Sequence, residues 1–337
     1  MSAQQWGRLD LATAGGIRVD GELALADGGQ LNLVGGRVDI NGQVRIGGGS
    51  LTASNLLADA TGRMQVVQAN GRGVVALGET AVIDLDGRWA NQRLDGGAGS
   101  AQAWINGGRV QLESSHDVSL AAGSRISVDA GGRVDLQGKA SAGKGGDIAL
   151  LADSSQVTTD GSGRLQLDGR LSGLGGTGAG TLQLATGGKV TLADRARDDG
   201  SLWLSPTLLR SGFGQYDING HAGLEVADGT QLDVRAPTLR VRQAAADAAT
   251  AGEGLEAWTA PLYAFDPGSG SVTQRQGASV LLRSQRNTLG GDVRIGSNAV
   301  VQVDAGQSIE LRGGGNIDVA GALIAKAGSI RLDDVRD

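Results

Sequence analysis

The acidic side chains are the first candidates for chemistry in this chain. Two pairs of neighbouring aspartates occur, Asp198–Asp199 and Asp333–Asp334. A carboxylate pair can act as general acid and base. Adjacent residues of a β-strand, however, point to opposite faces. Neither pair therefore forms a catalytic dyad by itself, and Asp199, which precedes a glycine, is interpreted as a turn residue.

Metal and thiol chemistry have weak support in the sequence. His116 and His221 are far apart and lack the spacing of metal ligands. Both are interpreted as surface or turn residues. The chain has no cysteine, which removes disulfides, thiol nucleophiles and cysteine-ligated metals. We expect no catalytic residue, no metal and no cofactor.

Aromatic side chains provide the one candidate binding chemistry. They make up only 3% of the chain, yet most of them lie between residues 203 and 265. Exposed aromatic rings can stack on sugar rings, which suggests a glycan-binding patch formed by Trp258, Tyr263, Phe265 and Tyr216. The alternative is that these rings pin a protruding segment onto the body of the molecule, a role that suits large amphipathic side chains.

The elements that must position these residues are encoded in a short repeat. Its pattern is Gly-Gly, any residue, a β-branched residue or leucine, any residue, then an aliphatic residue. Strong copies stand at 15–19, 28–33, 35–40, 107–112, 131–136, 145–150, 187–192 and 290–295. Each copy predicts a turn followed by a short strand with one apolar side. The residues expected to point inward include Val110, Leu112, Val134, Leu136, Ile148, Leu150, Val190 and Leu192.

The spacing of the copies predicts the architecture. Several are separated by 20 to 24 residues, which suits one coil of a parallel β-helix. The many Asp-Gly and Asn-Gly pairs also suit tight hairpins, so a meander of hairpins competes. An aliphatic, aromatic-poor composition favours a narrow solenoid. We predict an all-β parallel β-helix, a solenoid whose handedness the spacing does not specify.

The pattern breaks at 242–272. Residues 242–258 are rich in alanine and have no period of two, which predicts a short helix. The rest of the segment contains two of the four prolines and predicts an ordered loop. We interpret 242–272 as an excursion that leaves the coils and packs against their side.

Bulk properties exclude some partners. The net charge of the 337 residues is −6, with acidic and basic residues interspersed, so nucleic acid is a poor ligand. No apolar run is long enough to insert into a bilayer, and the N-terminus does not resemble a signal peptide. We expect the chain to be an internal segment of a longer protein.

A family resemblance enters at two stretches. Two stretches resemble a block of large bacterial exoproteins of the filamentous haemagglutinin type. They are SLWLSPTLLRSGFGQYDINGHAGLEVADGTQLDVRAPTLRV at 201–241 and APLYAFDPGSGSVTQRQGASVLLRS at 260–284. The flanking repeats resemble the shaft of those proteins. The resemblance divides the chain into shaft repeats at 1–200, a family-specific block at 201–284 and further β-helical coils at 285–337.

The resemblance implies a passenger of a two-partner secretion system. Such a passenger crosses the outer membrane unfolded through a dedicated transporter and folds outside as a right-handed parallel β-helix. It implies a secreted protein at the bacterial cell surface that adheres to host, bacterial or matrix receptors or glycans, including in biofilms. The Asn-Pro motifs of the family's secretion domain do not occur here, so the transporter is expected to recognise a region outside this chain.

Three functions remain open at this stage. The first is a non-enzymatic structural and adhesive segment. The second is the stalk of an exoprotein that delivers a contact-dependent toxin. The third is a polysaccharide-active β-helix enzyme, since Gly220–Gly223 is similar to a glycine-flanked histidine of polygalacturonases. The aspartate pair and the Arg-x-Lys motif that accompany that histidine are missing.

Overall fold

Strands dominate the architecture of the chain. The computed structural model describes residues 6–67, 73–94, 104–157, 160–241, 255–258, 263–266, 270–285 and 291–334. Strand accounts for 51% of the described residues and helix for 2%, against about 20–25% strand in an ordinary globular domain. The described helix is a single 3₁₀ turn, Pro206–Arg210, which begins after the N-cap Ser205.

The strands are short and separated by turns. Those of the first half are β1 (Arg8–Val19), β2 (Glu22–Ala24), β3 (Gln30–Ile40), β4 (Gln43–Arg45), β5 (Ser50–Ser54), β6 (Leu56–Ala58), β7 (Met64–Val66), β8 (Val74–Leu77), β9 (Val82–Asp84), β10 (Trp89–Asn91), β11 (Arg109–Glu113), β12 (Asp117–Leu120), β13 (Arg125–Ser127), β14 (Gly132–Val134), β15 (Ala140–Ala142), β16 (Asp147–Leu151), β17 (Leu165–Leu167) and β18 (Arg170–Ser172). Those of the second half are β19 (Thr181–Thr186), β20 (Val190–Leu192), β21 (Leu202–Leu204), β22 (Gln215–Gly220), β23 (Leu224–Val226), β24 (Gln231–Val234), β25 (Thr238–Val241), β26 (Leu255–Trp258), β27 (Tyr263–Asp266), β28 (Ser271–Gln274), β29 (Ser279–Arg283), β30 (Val293–Ile295), β31 (Val300–Val303), β32 (Ser308–Gly313), β33 (Ile317–Val319), β34 (Ala322–Ala325) and β35 (Ser329–Asp334).

Three parallel stacks run side by side along the molecule. The first stack is β1, β3, β5, β11, β16, β19, β22, β29, β32 and β35 in spatial order. The second contains the C-terminal parts of β1 and β3 with β8, β12 and β17, followed by β21, β20, β23, β30 and β33. The third contains β2, β4, β9, β13 and β18, followed by β24, β31 and β34. Each coil of the chain contributes a strand to successive stacks, which is the architecture of a parallel β-helix.

The register of the coils builds the core. In the first stack one inward column contains Leu31, Leu51, Val110, Ile148, Leu182, Tyr216, Val280 and Ile309. These side chains are buried and belong to one apolar cluster that extends from Val19 to Leu311. The predicted all-β parallel β-helix is confirmed. The right-handed sense that the family resemblance implies is the one that parallel crossovers adopt almost without exception.

Coil length varies more than the repeat suggested. Leu31 faces Leu51 in the next coil, 20 residues later. Leu51 in turn faces Val110, because the antiparallel hairpin of β6 and β7 and the segment around β10 are inserted into that coil. The spacing of 20 to 24 residues therefore holds only for coils without insertions.

A column of glycines explains the Gly-Gly phrase. Gly108, Gly146 and Gly180 stand one above another where successive coils enter the first stack. A Cβ on Gly146 would lie 1.9 Å from the carbonyl oxygen of Gly108, and one on Gly180 would lie 2.0 Å from that of Gly146. Any side chain at these points would force neighbouring coils apart, so the motif reflects close backbone approach.

One member of the predicted inward set is wrong. Leu136 is 61% exposed, whereas Val134 and the other predicted members are buried. After Val134 the chain turns back, and β14 pairs antiparallel with β15. The carboxylate of Asp135 accepts hydrogen bonds from the backbone N–H groups of Gln137, at 3.0 Å, and Lys139, at 2.8 Å. This turn places Leu136 in solvent, and Val134 packs in a small lateral sheet with β10 and β15.

The excursion differs from its prediction. Residues 255–258, expected to be helical, form β26, which pairs antiparallel with β25. The remainder of the predicted helix, 242–254, lies outside the described residues. The predicted loop contains a second hairpin of β27 and β28. Helix propensities differ by only a few tenths of a kcal/mol per residue, so pairing with β25 overrides them.

Candidate binding surface

The excursion returns to the coils at a buried ion pair. The guanidinium of Arg275 is 1% exposed and donates to both oxygens of Asp304, at 2.8 and 2.5 Å. It also donates to the carbonyls of Ala236, at 3.2 Å, and Gln276, at 2.8 Å. Ala236 follows β24 and Asp304 follows β31, so Arg275 joins two successive coils. A bidentate geometry with further acceptors is the arrangement in which a buried pair is best satisfied.

The excursion is also held where it leaves the coils. The backbone N–H of Leu239 donates to the carbonyl of Gly175 at 2.9 Å, and Thr238 and Gly175 form a parallel bridge. The Oγ1 of Thr238 accepts from the N–H of Gln276 at 3.0 Å. The residues that flank the excursion therefore contact each other and the coils.

Phe265 is the predicted ligand residue that the structure places in solvent. Its side chain is 64% exposed on β27. The backbone of Tyr263 pairs with Gln274, and that of Trp258 pairs with Thr238. The side chains of Trp258 and Tyr263 lie outside the described part of the chain, so the predicted patch of rings stays a prediction.

Tyr216 does not belong to such a patch. Its side chain is fully buried in the inward column of the first stack, on β22. Its ring meets that of Phe213 edge-on, with centroids 6.1 Å apart and planes at 81°. Burial raises the pKa of the Tyr216 phenol to about 12. Nothing in the sequence distinguished this tyrosine from a surface one except its place at an inward position of the repeat.

The aspartate pairs have structural roles. Asp199 accepts hydrogen bonds from the N–H of Ser201, at 3.0 Å, and from its hydroxyl, at 2.6 Å. These bonds lower the pKa of Asp199 and confirm it as a turn residue. Asp333 pairs with Arg331 at 2.5 Å. Among the described residues, no group of three or more His, Asp or Glu side chains is placed to hold a metal ion.

His221 lies in a turn, as the sequence predicted, and its side chain is buried rather than at the surface. Its ring is 4% exposed, and its Nδ1 lies 2.9 Å from a carboxylate oxygen of Asp153. It belongs to a cluster of buried polar residues that follow the C-terminal ends of the individual strands of the first stack. There the amide of Asn55 donates to the hydroxyl of Ser115 at 2.8 Å and accepts from its N–H at 2.8 Å. Asn55 and Ser115 thus satisfy each other's polar groups across two coils.

Comparisons of the chain with protein-family models, with curated proteins and with solved structures gave no match. No helix in the described ranges has the length and apolarity that a membrane crossing requires.

Proposed function

We propose that this chain is a non-enzymatic structural and adhesive segment of a secreted filamentous adhesin at the bacterial cell surface. The coils serve as a shaft, and the excursion at 242–272, between β25 and β29, displays a contact surface on its side. The expected ligand is a receptor or glycan on a host cell, another bacterium or the surrounding matrix. Export through an outer-membrane transporter is part of the same proposal.

One observation carries the proposal. A large aromatic side chain, Phe265, stands in solvent on a hairpin whose base is locked to the coils by the buried pair of Arg275 and Asp304. Exposing an apolar ring is unfavourable for a protein that has no partner, because the ring loses the free energy of burial. Anchoring the base of that hairpin to the coils lowers the entropy lost when a partner binds.

Two further features support a shaft. Core residues repeat coil by coil, so the molecule can be extended without a new kind of core. The sequences at 201–241 and 260–284 resemble the block found in filamentous haemagglutinin-type exoproteins, and the excursion lies within that block.

Adhesion of coated beads tests the proposal. Beads carrying the chain should bind host cells, bacterial cells or extracellular matrix above albumin-coated beads, and Phe265→Ala should reduce that binding severalfold. Leu136→Ala is the matched control, since Leu136 is similarly exposed, at 61%, on a different hairpin. Beads that never exceed the albumin background would refute the adhesive function.

The enzymatic alternative has its own test. Incubation of the chain with plant and bacterial polysaccharides, followed by assays for reducing ends and for unsaturated products, should detect no cleavage. Turnover that a catalytic-residue variant abolishes would replace the adhesin proposal with a polysaccharide-active enzyme.

A further inference from the structure

The outward face of the first stack contains a shallow polar depression. Its floor is the small side chain of Ala149 on β16, and its rims are Gln111 on β11 and Gln183 on β19. Two strand spacings, about 9.5 Å, separate the two glutamine positions. The depression has a volume of about 200 Å³. The depression exists because the short side chain of Ala149 lies between the two long glutamine side chains.

One end of the depression carries charges that cancel. The guanidinium of Arg109 donates to the carboxylate of Asp147 at 2.9 Å. The backbone N–H of Thr181 donates to the same carboxylate, also at 2.9 Å. A basic or acidic ligand would find no excess of opposite charge here, so the depression favours a neutral one.

The backbone beneath the depression has no free edge. Strand β16 pairs with β11 on one side and with β19 on the other. An extended peptide therefore has no strand edge to which it could add its own backbone. A ligand must be recognised through side chains alone.

The side chains available there suit hydroxyl groups. Within the described residues the amide of Gln183 makes no hydrogen bond, and it contains both donors and an acceptor. The amide of Gln111 donates to Glu113 at 2.8 Å, which orients it. The hydroxyl of Thr181 can also donate and accept. A ligand hydroxyl has the same dual capacity and can meet each of these groups in either role.

We propose that this depression binds one ring of a neutral oligosaccharide. The hydroxyls of the ring contact Gln111, Gln183 and Thr181, and its C–H face lies over Ala149. The volume is below the roughly 300–1,000 Å³ of a typical small-molecule site, so single contacts are weak and retention depends on many copies acting together. The inference rests on the proposed adhesive function and names a ligand class and a second contact surface for it.

The test is binding of the whole chain, displayed multivalently, to an array of neutral oligosaccharides, with sialylated and sulfated glycans beside them. Neutral glycans should bind best. Ala149→Gln should reduce their binding about tenfold or more, because it fills the depression while keeping amide chemistry. Gln183→Ala should reduce it severalfold. Thermal unfolding of each variant should match the parent, since both side chains point outward.

Ala76→Gln is the matched control. Ala76 is a half-buried outward residue of β8, in the second stack, and its substitution should leave glycan binding unchanged.

Full binding by Ala149→Gln, absence of binding to every neutral glycan, or preference for acidic glycans would each overturn the inference. If Phe265→Ala removes glycan binding and Ala149→Gln does not, the ligand site is on the excursion, and the adhesive function stands without this subsite. Failure of bead adhesion is a separate result and concerns the function itself.

Discussion

At the scale of single residues, two buried carboxylates, Asp86 and Asp129, hold turns in successive coils. Asp86 accepts hydrogen bonds from the hydroxyl of Ser127 at 2.5 Å and from the N–H of Asp129 at 2.7 Å. One coil later Asp129 accepts from the hydroxyl of Ser172 and the N–H of Leu174, each at 2.6 Å. Burial raises the pKa of both carboxyls, that of Asp86 to about 6. Both groups therefore hold turns together and also respond to pH.

The raised pKa of Asp86 predicts a pH-dependent stability. Between pH 4 and pH 6 the folded chain binds more protons at this site than the unfolded chain. The free energy of unfolding should therefore decrease as pH rises through this window. The contribution of Asp86 is on the order of 2 kcal/mol. Denaturant unfolding at a series of pH values measures it, and Asp86→Asn should flatten the decrease.

Asp199→Asn is the control for this experiment. Its pKa is lowered by Ser201, so its titration lies below the window and the substitution should leave the profile from pH 4 to 6 unchanged. An Asp86→Asn variant with the same slope as the parent would show that Asp86 does not titrate in this range.

The ion pair at the base of the excursion predicts strong coupling. Arg275→Met leaves Asp304 buried without its cation and should cost about 3–5 kcal/mol of unfolding free energy. The double variant Arg275→Met, Asp304→Leu should recover much of that loss, because no unpaired charge remains. A double-mutant cycle with chemical denaturation measures the coupling. Additive losses would show that the two side chains do not act as a pair.

At the scale of elements, the glycine column sets how closely coils pack. Gly146→Ala should cost about 2–3 kcal/mol, as overpacked sites do, because its Cβ would meet backbone at 1.9 Å. Gly21→Ala is the matched control, since no atom lies within 4 Å of its added Cβ. That variant should keep the parent stability or gain up to about 1 kcal/mol. Equal melting temperatures for the two variants would contradict the close approach.

The lateral elements show where local sequence rules lose to pairing partners. Val134 and Leu136 occupy the two aliphatic positions of one copy of the repeat phrase, yet Val134 is buried and Leu136 is 61% exposed. The Asp135 turn between β14 and β15 decides this difference. Likewise 255–258 is a strand because β25 offers it an antiparallel edge. In both cases the outcome depends on a neighbour that the local pattern does not contain.

At the scale of the whole molecule, each coil contacts mainly the next one, so stability is close to a sum of local terms. Within the part of the chain that the structure describes, β1 pairs only with β3 and β35 only with β32. Leu11 on β1 is 40% exposed, and Ile330 and Leu332 on β35 are 46% and 52% exposed. Their equivalents in the middle of the first stack are buried.

This difference predicts a gradient of hydrogen exchange along the stack. Amides of β1 and β35 should exchange fastest, and those of β16 and β19 slowest, because opening free energies rise from frayed ends toward the packed centre. Mass spectrometry after peptic digestion resolves this by segment. Uniform protection of all strands in the first stack would mean that the molecule opens as one cooperative unit.

The sequence alone determined the all-β solenoid, most of its coil strands and the inward columns apart from Leu136, because the apolar alternation and the Gly-Gly contacts recur along the coils and are local in origin. The sequence also indicated that Asp199 is a turn residue. Only the tertiary structure decided which residues of different coils meet. Examples are the burial of His221 beside Asp153, the Arg275–Asp304 pair, and the depression where Ala149 lies between Gln111 and Gln183. Insertions of unequal length separate these partners in sequence, so their contact depends on coil register, which no single segment specifies.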